Sequence, residues 1–376
     1  MKKIFVLTGE PSGDILASEV IKNIKNNRSD IEYLSVGGKY LNSIGIKSIF
    51  NQKEITYLAF TDIVFNLFKI KRKINETVNK IIDFNPDILF SVDSPDFTLR
   101  VSKIIKKKNP NIKTIHFIAP KVWAWRPGRV KKMKKFLDHI LLLFNFEKKY
   151  FDKENLNNSF VGHPLLDHKD EEKVEIDQLF YEKNVISIFP GSRQSEIKLH
   201  APILFDFIKK MNKKNNNYNY IFHSTDRFKD HLNNLLKNQN INNAQIISDD
   251  KIKSAVIKKS IFAVVKSGTV SLEVCKVGIP SIIIYKMNFL NFLLAKMFLK
   301  IRFVNMINII NDKEILPELI QTDCNANEIF KTVCYFLKKP DLINDQLIHV
   351  KKTINDLTSK TSSSFEASKV ILSYLT

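Results

Sequence analysis

A chain of 376 residues, 44% hydrophobic and 26% charged, is too apolar to be largely disordered and long enough for two domains, each with its own core. Three cysteines, Cys275, Cys324 and Cys334, with no C-x-x-C pair, exclude a disulfide framework and point to a reducing, cytosolic compartment. The net charge of +20, of which +12 falls up to Asp167 and +8 beyond it, favours an anionic partner (nucleic acid, an anionic membrane or a phosphorylated substrate), although compositional drift toward Lys, Asn and Ile explains it equally well.

After Met1-Lys2-Lys3 the apolar run covers only residues 4–7, too short for a signal peptide, and no stretch approaches the roughly 18 apolar residues of a spanning helix. The chain therefore reads as soluble or peripheral. Residues 3–7 and 31–36 read as buried strands, with helical periodicity over 15–25 between them. A helix over 78–84 stops before Pro86, and strands follow at 87–92, 112–118 and 139–144. Short strands alternating with helices predict a parallel, doubly wound α/β sheet. The pattern restarts after Gly162-His163-Pro164 and an acidic stretch, residues 167–177, that reads as a linker. Strands at 185–189, 218–223, 245–248, 261–265 and 281–285, with helices over 195–210 and 270–276, predict a second α/β domain. The Asn/Lys-rich residues 213–219 read as a surface loop, and 342–376 as helical with a break at 358–364. Such sheets bind ligands beyond the carboxyl ends of their strands, so the strand-end loops, facing a cleft between two domains, are the first places to look for chemistry.

Gly9-Glu10-Pro11-Ser12-Gly13-Asp14 follows the first strand and opens a helix. It is not the G-x-G-x-x-G fingerprint, which disfavours a dinucleotide. Glu10, Ser12 and Gly13 are candidate site residues; the alternative is a turn capped by Ser12 or Asp14. Asp93-Ser94-Pro95-Asp96-Phe97 places two carboxylates at another strand end, where one can act as a general base; the alternative has Asp96 as a helix N-cap. Val122-Trp123-Ala124-Trp125-Arg126 holds both tryptophans. Trp125, if exposed, can stack on a sugar or a lipid headgroup with Arg126 beside it, and Trp123 reads as core. Residues 128–135 carry five basic side chains, which suit single-stranded nucleic acid or a solvated helix face. Pro190-Gly191-Ser192-Arg193 and Ser267-Gly268-Thr269 lie at strand ends of the second domain. A small-residue loop feeding a helix, with an Arg beside it, suits a diphosphate. The P-loop pattern is absent. Glu273 can accept two ribose hydroxyls or be a salt-bridged surface residue. No His clustering predicts a metal, and His163 reads as structural.

These words, together with Val36-Gly37-Gly38, Phe160-Val161-Gly162-His163-Pro164, Leu272-Glu273 and Glu314-Ile315-Leu316-Pro317-Glu318-Leu319-Ile320-Gln321, resemble in order the lipid-A-disaccharide synthase family. The resemblance implies a GT-B architecture, with residues 1–168 plus about 355–376 as the acceptor, lipid-side domain and 169–354 as the UDP-sugar domain. It implies an inverting transfer of 2,3-diacylglucosamine from UDP to 2,3-diacylglucosamine 1-phosphate (lipid X), giving a β-1,6 link, without metal or other cofactor. Asp96 falls on the family's essential Asp, with Glu10 as a second catalytic candidate. Arg193, Ser192, Ser267, Gly268, Thr269, Glu273, Asn308, Glu318 and Gln321 fall on the donor side. Lys121 and Thr98 depart from the family pattern and bear on local acceptor contacts. Both substrates are acylated, which implies attachment to the cytoplasmic face of the inner membrane. Ile63, Val64, Phe65, Leu67 and Phe68 are the expected membrane face and residues 289–300 a second one; the alternative for both segments is a core-facing helix with solvated Lys. Competing readings are another UDP-sugar enzyme of the same architecture (a glycosyltransferase or an epimerase) and a basic nucleic-acid-binding protein, although no nucleic-acid recognition module is evident.

Overall fold

The computed structural model describes residues 1–56, 63–125, 128–167, 184–298 and 301–375, without the side chains of residues 56, 63–68, 290, 294, 295 and 298. Arg126 and most of the acidic stretch after Asp167 lie outside the described residues, as do the side chains of Ile63, Val64, Phe65, Leu67 and Phe68. The chain divides into two compact units, one of Met1–Asp167 with Leu357–Thr376 and one of His168–Asp356.

In the first unit β1 (Lys2–Thr8), β2 (Ile31–Val36), β3 (Ile88–Val92), β4 (Lys113–Phe117), β5 (His139–Leu142) and β6 (Asn158–Phe160) form one parallel sheet in the order β2-β1-β3-β4-β5-β6. Its strands are apolar runs because helices cover both faces. Ile4 and Val6 pack with Val20, Ile21 and Ile24 of helix Pro11–Asn27 and with Ala367 and Ile371 of the last helix, Ser363–Ser373. Phe5 and Leu7 face the other way, onto Val78 and Ile81 of helix Ile63–Phe84 and Val101 and Ile105 of helix Pro95–Lys108.

In the second unit β7 (Asn184–Phe189), β8 (Tyr218–His223), β9 (Ala244–Ile247), β10 (Ser260–Lys266), β11 (Ser281–Tyr285) and β12 (Glu318–Ile320) are parallel in the order β12-β11-β10-β7-β8-β9. Ile186, Phe222, Phe262 and Ile284 line its larger core, beneath helices Gln194–Lys214 and Ala326–Leu337.

Several elements differ from the expectation. The first helix begins at Pro11, not Ile15, because proline is preset for the first helical position. Strands β6 and β12, three residues each at sheet edges, carry too few residues for a periodic signal. The expected loop at 213–219 shrinks to residues 215–217, between a helix ending at Lys214 and β8. The break near the end is shorter too: the helix Pro340–Leu357 stops at Leu357, and Ser362 caps the next one through the Phe365 N–H.

Candidate active site

In the first sheet the connections run from β1 out to β2, and on the other side from β3 through β4 and β5 to β6. The reversal between β1 and β3 opens a crevice at the carboxyl ends of those strands. The loops after these two strands are the Gly9 and Asp93 words. They touch: a Cβ on Gly9 would sit 2.4 Å from the Ser94 Cβ, so only glycine fits. A Cβ on Gly13 would lie 3.2 Å from the Val92 carbonyl oxygen, which marks how closely the first helix approaches β3.

Glu10, half-buried, occupies the N-cap position of helix Pro11–Asn27, and Gln52 donates to its carbonyl (3.0 Å) and to Thr8 Oγ1 (2.8 Å). Neither Ser12 nor Asp14 caps the helix. Ser12 is exposed in its first turn, and Asp14 is buried one turn in. The Asp14 carboxylate accepts from the Gly38 N–H (2.7 Å) and the Tyr40 N–H (2.8 Å) and so pins the glycine pair after β2.

Asp93 and Ser94 are consecutive left-handed residues, φ 51° and 46°. Non-glycine residues there store about 1–3 kcal/mol of strain each, a feature that clusters at functional sites. The turn is braced by the Thr98 hydroxyl, which donates to the Asp93 carbonyl (2.6 Å), and by the Asp93 N–H, which donates to the Phe117 carbonyl (3.0 Å). Thr98 is fully buried, so its departure from the family pattern concerns this brace and not an acceptor contact. Asp96 is not the N-cap; it stands exposed in the first turn of helix Pro95–Lys108, where Ser94 holds the cap position. Neither the Asp93 nor the Asp96 carboxylate has a hydrogen-bond partner among the described residues.

After β4, Trp125 is 39% exposed, whereas the half-buried Trp123 donates its indole N–H to Glu147 Oε1 (3.1 Å). Glu147, which the sequence does not single out, is buried, and burial pushes its carboxyl up to about 7 against the pull of Trp123. His163 is buried against Phe144; its Nδ1 accepts the Leu165 N–H and burial lowers its pKa to about 4. That is a structural environment. The basic residues near 130 lie on the solvated side of helix Arg129–Met133, whose Val130 and Met133 are buried.

In the second sheet the reversal falls between β7 and β10, and the loops after these strands are the Ser192-Arg193 and Ser267-Gly268-Thr269 words. Gly191 turns with φ 113° into helix Gln194–Lys214, and the Glu196 carboxylate accepts from the Ser192 N–H (3.0 Å) and the Arg193 N–H (3.3 Å). The Arg193 side chain is 68% exposed. Ser267 donates its hydroxyl to the Val304 carbonyl (2.9 Å), while Gly268 and Thr269 are exposed at the start of helix Val270–Val277. Glu273 is ion-paired with Lys253 (2.5 Å), as its alternative reading holds, which still leaves acceptor positions on its oxygens.

Asn308, Glu318 and Gln321 make a brace. Asn308 is fully buried: its amide donates to the Leu316 carbonyl and to Glu318, and its oxygen accepts from the Ile315 and Leu316 N–H groups. With both donors and both lone pairs used in this way, the Asn308 side chain has no free position for the direct donor contact that the resemblance implies. The Glu318 carboxylate accepts from the Val304 and Asn305 N–H groups. Burial raises its pKa, against those bonds. Gln321, at φ 53°, grips Met287 through both its N–H (2.8 Å) and its carbonyl (3.2 Å). Two residues absent from the sequence reading complete it. Asn305 caps helix Met306–Asn311 and reaches Ser271. His200 joins the Pro190 carbonyl (2.9 Å) to the Lys286 N–H (3.0 Å). Among the described residues no group of three or more His, Cys, Asp or Glu is placed to hold a metal ion.

The family model described as Lipid-A-disaccharide synthetase matches residues 4–370. The lipid-A-disaccharide synthase of Rickettsia prowazekii (strain Madrid E) is 35% identical over 386 residues, covering 99% of each chain. Among solved structures, UDP-GlcNAc 2-epimerase from Neisseria meningitidis bound to UDP-GlcNAc has a TM-score of 0.63 at 12% identity, covering 99% of both chains. A glycosyltransferase from Rickettsia africae ESF-5 has 0.60 at 15% identity, covering 100% of this chain and 98% of that one. Likeness at that identity establishes the fold, two doubly wound units of the GT-B type. Sequence settles what the fold leaves open between epimerase and transferase: the chain belongs to the lipid-A-disaccharide synthase family, the glycosyltransferases that build the lipid A disaccharide.

Proposed function

We propose that the reaction joins UDP-2,3-diacylglucosamine to 2,3-diacylglucosamine 1-phosphate, with the first unit taking the acceptor and the second the donor. The observation that carries this reading is the pair of reversals. One is lined by the exposed Asp96 and the half-buried Asp93 on a strained turn, with a buried Ser94 hydroxyl that has no partner among the described residues. The other is lined by an exposed Arg and the start of a helix. An anion is favoured at the second by the helix N-terminus and by a guanidinium able to make two bonds.

The acceptor 6-hydroxyl oxygen bonds to C1 of the donor sugar while the bond from C1 to the diphosphate breaks and its electron pair leaves with UDP. Asp96 takes the hydroxyl proton, with Asp93 and Glu10 beside it as the other carboxylates of that crevice. Ser12, Gly13 and Trp125 stand at the acceptor side. Ser192, Arg193, Ser267, Gly268 and Thr269 hold the diphosphate, Glu273 the ribose, and Asn308, Glu318 and Gln321 keep the loops in place. No cofactor is required. Incubating the purified protein with both acylated sugars tests this: disaccharide 1-phosphate and UDP should form in equal amounts, and release of UDP without disaccharide would sink the assignment.

Acylated substrates place the work at a bilayer, here the cytoplasmic face of the inner membrane. No described helix is long and apolar enough to cross one. On helix Phe289–Phe298, Phe289, Leu293 and Met297 recur every fourth residue and are 72%, 48% and 71% exposed. These three exposed positions support a membrane face on this segment, because an apolar stripe with Lys296 beside it suits an anionic lipid surface.

A further inference from the structure

The amides of the Ser192-Arg193 turn are not free to meet a phosphate, because Glu196 accepts from both. A Cβ on Gly191 would sit 2.6 Å from the same carboxylate oxygen, so the turn is built around that anion. The other Glu196 oxygen is 2.8 Å from the ammonium of Lys266, the last residue of β10. Both side chains are nearly buried, 16% and 12% exposed for Lys266 and Glu196. The Lys266 ammonium also lies 3.7 Å from where a Gly268 Cβ would be and 5.3 Å from the centre of the Tyr285 ring. One cation thus spans the two loops at the reversal, facing the exposed Gly268.

We propose that Lys266 is a second cationic ligand of the donor diphosphate, held by Glu196 when the donor is absent and shared with the phosphate oxygens when it is bound. This rests on the reading of the second unit as the donor site. An ammonium carries three donors, and Glu196 takes one of them. A diphosphate outcompetes a single carboxylate because it brings more charge and more acceptor oxygens. Glu196 keeps its own two amide bonds meanwhile, so the turn that presents Arg193 does not collapse.

The test compares UDP, titrated by calorimetry, with uridine, which lacks the phosphates, titrated by ligand-observed NMR, on the full-length chain. Lys266→Met should weaken UDP about tenfold or more and leave uridine unchanged, and Lys266→Arg should restore UDP binding. Because Lys266→Met leaves a nearly buried carboxylate unpaired, the double variant Lys266→Met/Glu196→Gln, neutral at both positions and with the amide bonds kept, should show the same selective loss. An equal loss of UDP and uridine in both variants would mean that Lys266 only ties the loops, and overturns the proposal. UDP affinity unchanged in both variants overturns it as well. If the wild-type chain failed to bind UDP at all, the donor-site reading itself would fall.

Discussion

The two units solve the same topological problem with opposite chemistry. Each reverses its strand order beside its first strand and places two loops at the reversal. In the first unit those loops carry the exposed Asp96 and the half-buried Asp93 on a strained backbone, neither carboxylate having a hydrogen-bond partner among the described residues. In the second they carry an exposed guanidinium, and almost every polar group behind it is tied to another loop. Moving a proton calls for a group left available. Holding a charged leaving group calls for a rigid field, because dipoles that need not reorganise stabilise developing charge best. The contrast predicts that substitutions in the first crevice reduce turnover and substitutions in the second reduce binding.

The sharpest break is Asp96→Asn, which keeps shape but cannot take a proton. Turnover should fall by about 10² to 10⁴ with UDP affinity intact; near-normal turnover, with loss instead in Asp93→Asn or Glu10→Gln, reassigns the base. Arg193→Ala comes next. Losing a charge-assisted contact of roughly 1.5–3 kcal/mol should weaken UDP binding about 10- to 150-fold in a calorimetric titration, and an unchanged affinity removes Arg193 from the site.

Glu147 sharpens the comparison through stability. Its carboxyl is pushed up to about 7 by burial, above the unfolded value. As pH rises from about 4.5 to 7 the unfolded chain ionises this group while the folded chain keeps it protonated, so stability is present at low pH and lost on the way up. Urea unfolding at pH 5 and pH 8 should show a drop of roughly 2–3 kcal/mol from this group that Glu147→Gln abolishes; equal slopes in both proteins would refute it. The smallest effect on folding is expected from replacing Phe289, Leu293 and Met297 together by Ser. Exposed positions change stability by about 0.5 kcal/mol or less each, yet sedimentation with anionic vesicles should decline. A variant that unfolds, or one that still sediments as before, removes the stripe from the membrane face.

Most strands could be read from the sequence because a parallel sheet covered on both faces needs continuous apolar runs, as at Ile4-Phe5-Val6-Leu7. The loops at both reversals were visible through Gly and Pro, whose backbone limits are local. The braces were not. Gln52 reaches back 44 residues to Thr8, Glu196 meets Lys266, and Glu147 meets Trp123 across 24 residues. Nothing in a single sequence marks such partners. Asn308 shows the same gap from the other side: its place in a motif drew attention to it, but only its four bonds reveal that it faces inward to Leu316 and Glu318 rather than outward to a ligand.

The last helix, Ser363–Ser373, lies against helix Pro11–Asn27, and Asp167 fastens its start through the Ser363 N–H and hydroxyl. The first unit is therefore assembled from both ends of the chain, while the second is continuous. During vectorial synthesis the order of completion inverts the order of the sequence. The last residue of the second unit, Asp356, is joined to the chain while the apolar face formed by Val20, Ile21 and Ile24 still lacks Ala367, Ile371 and Leu375. That face waits through the synthesis of about 340 residues, from Ile24 to Ala367, at the 5–20 residues per second typical of translation, which makes the earliest-made unit the one most in need of protection from aggregation.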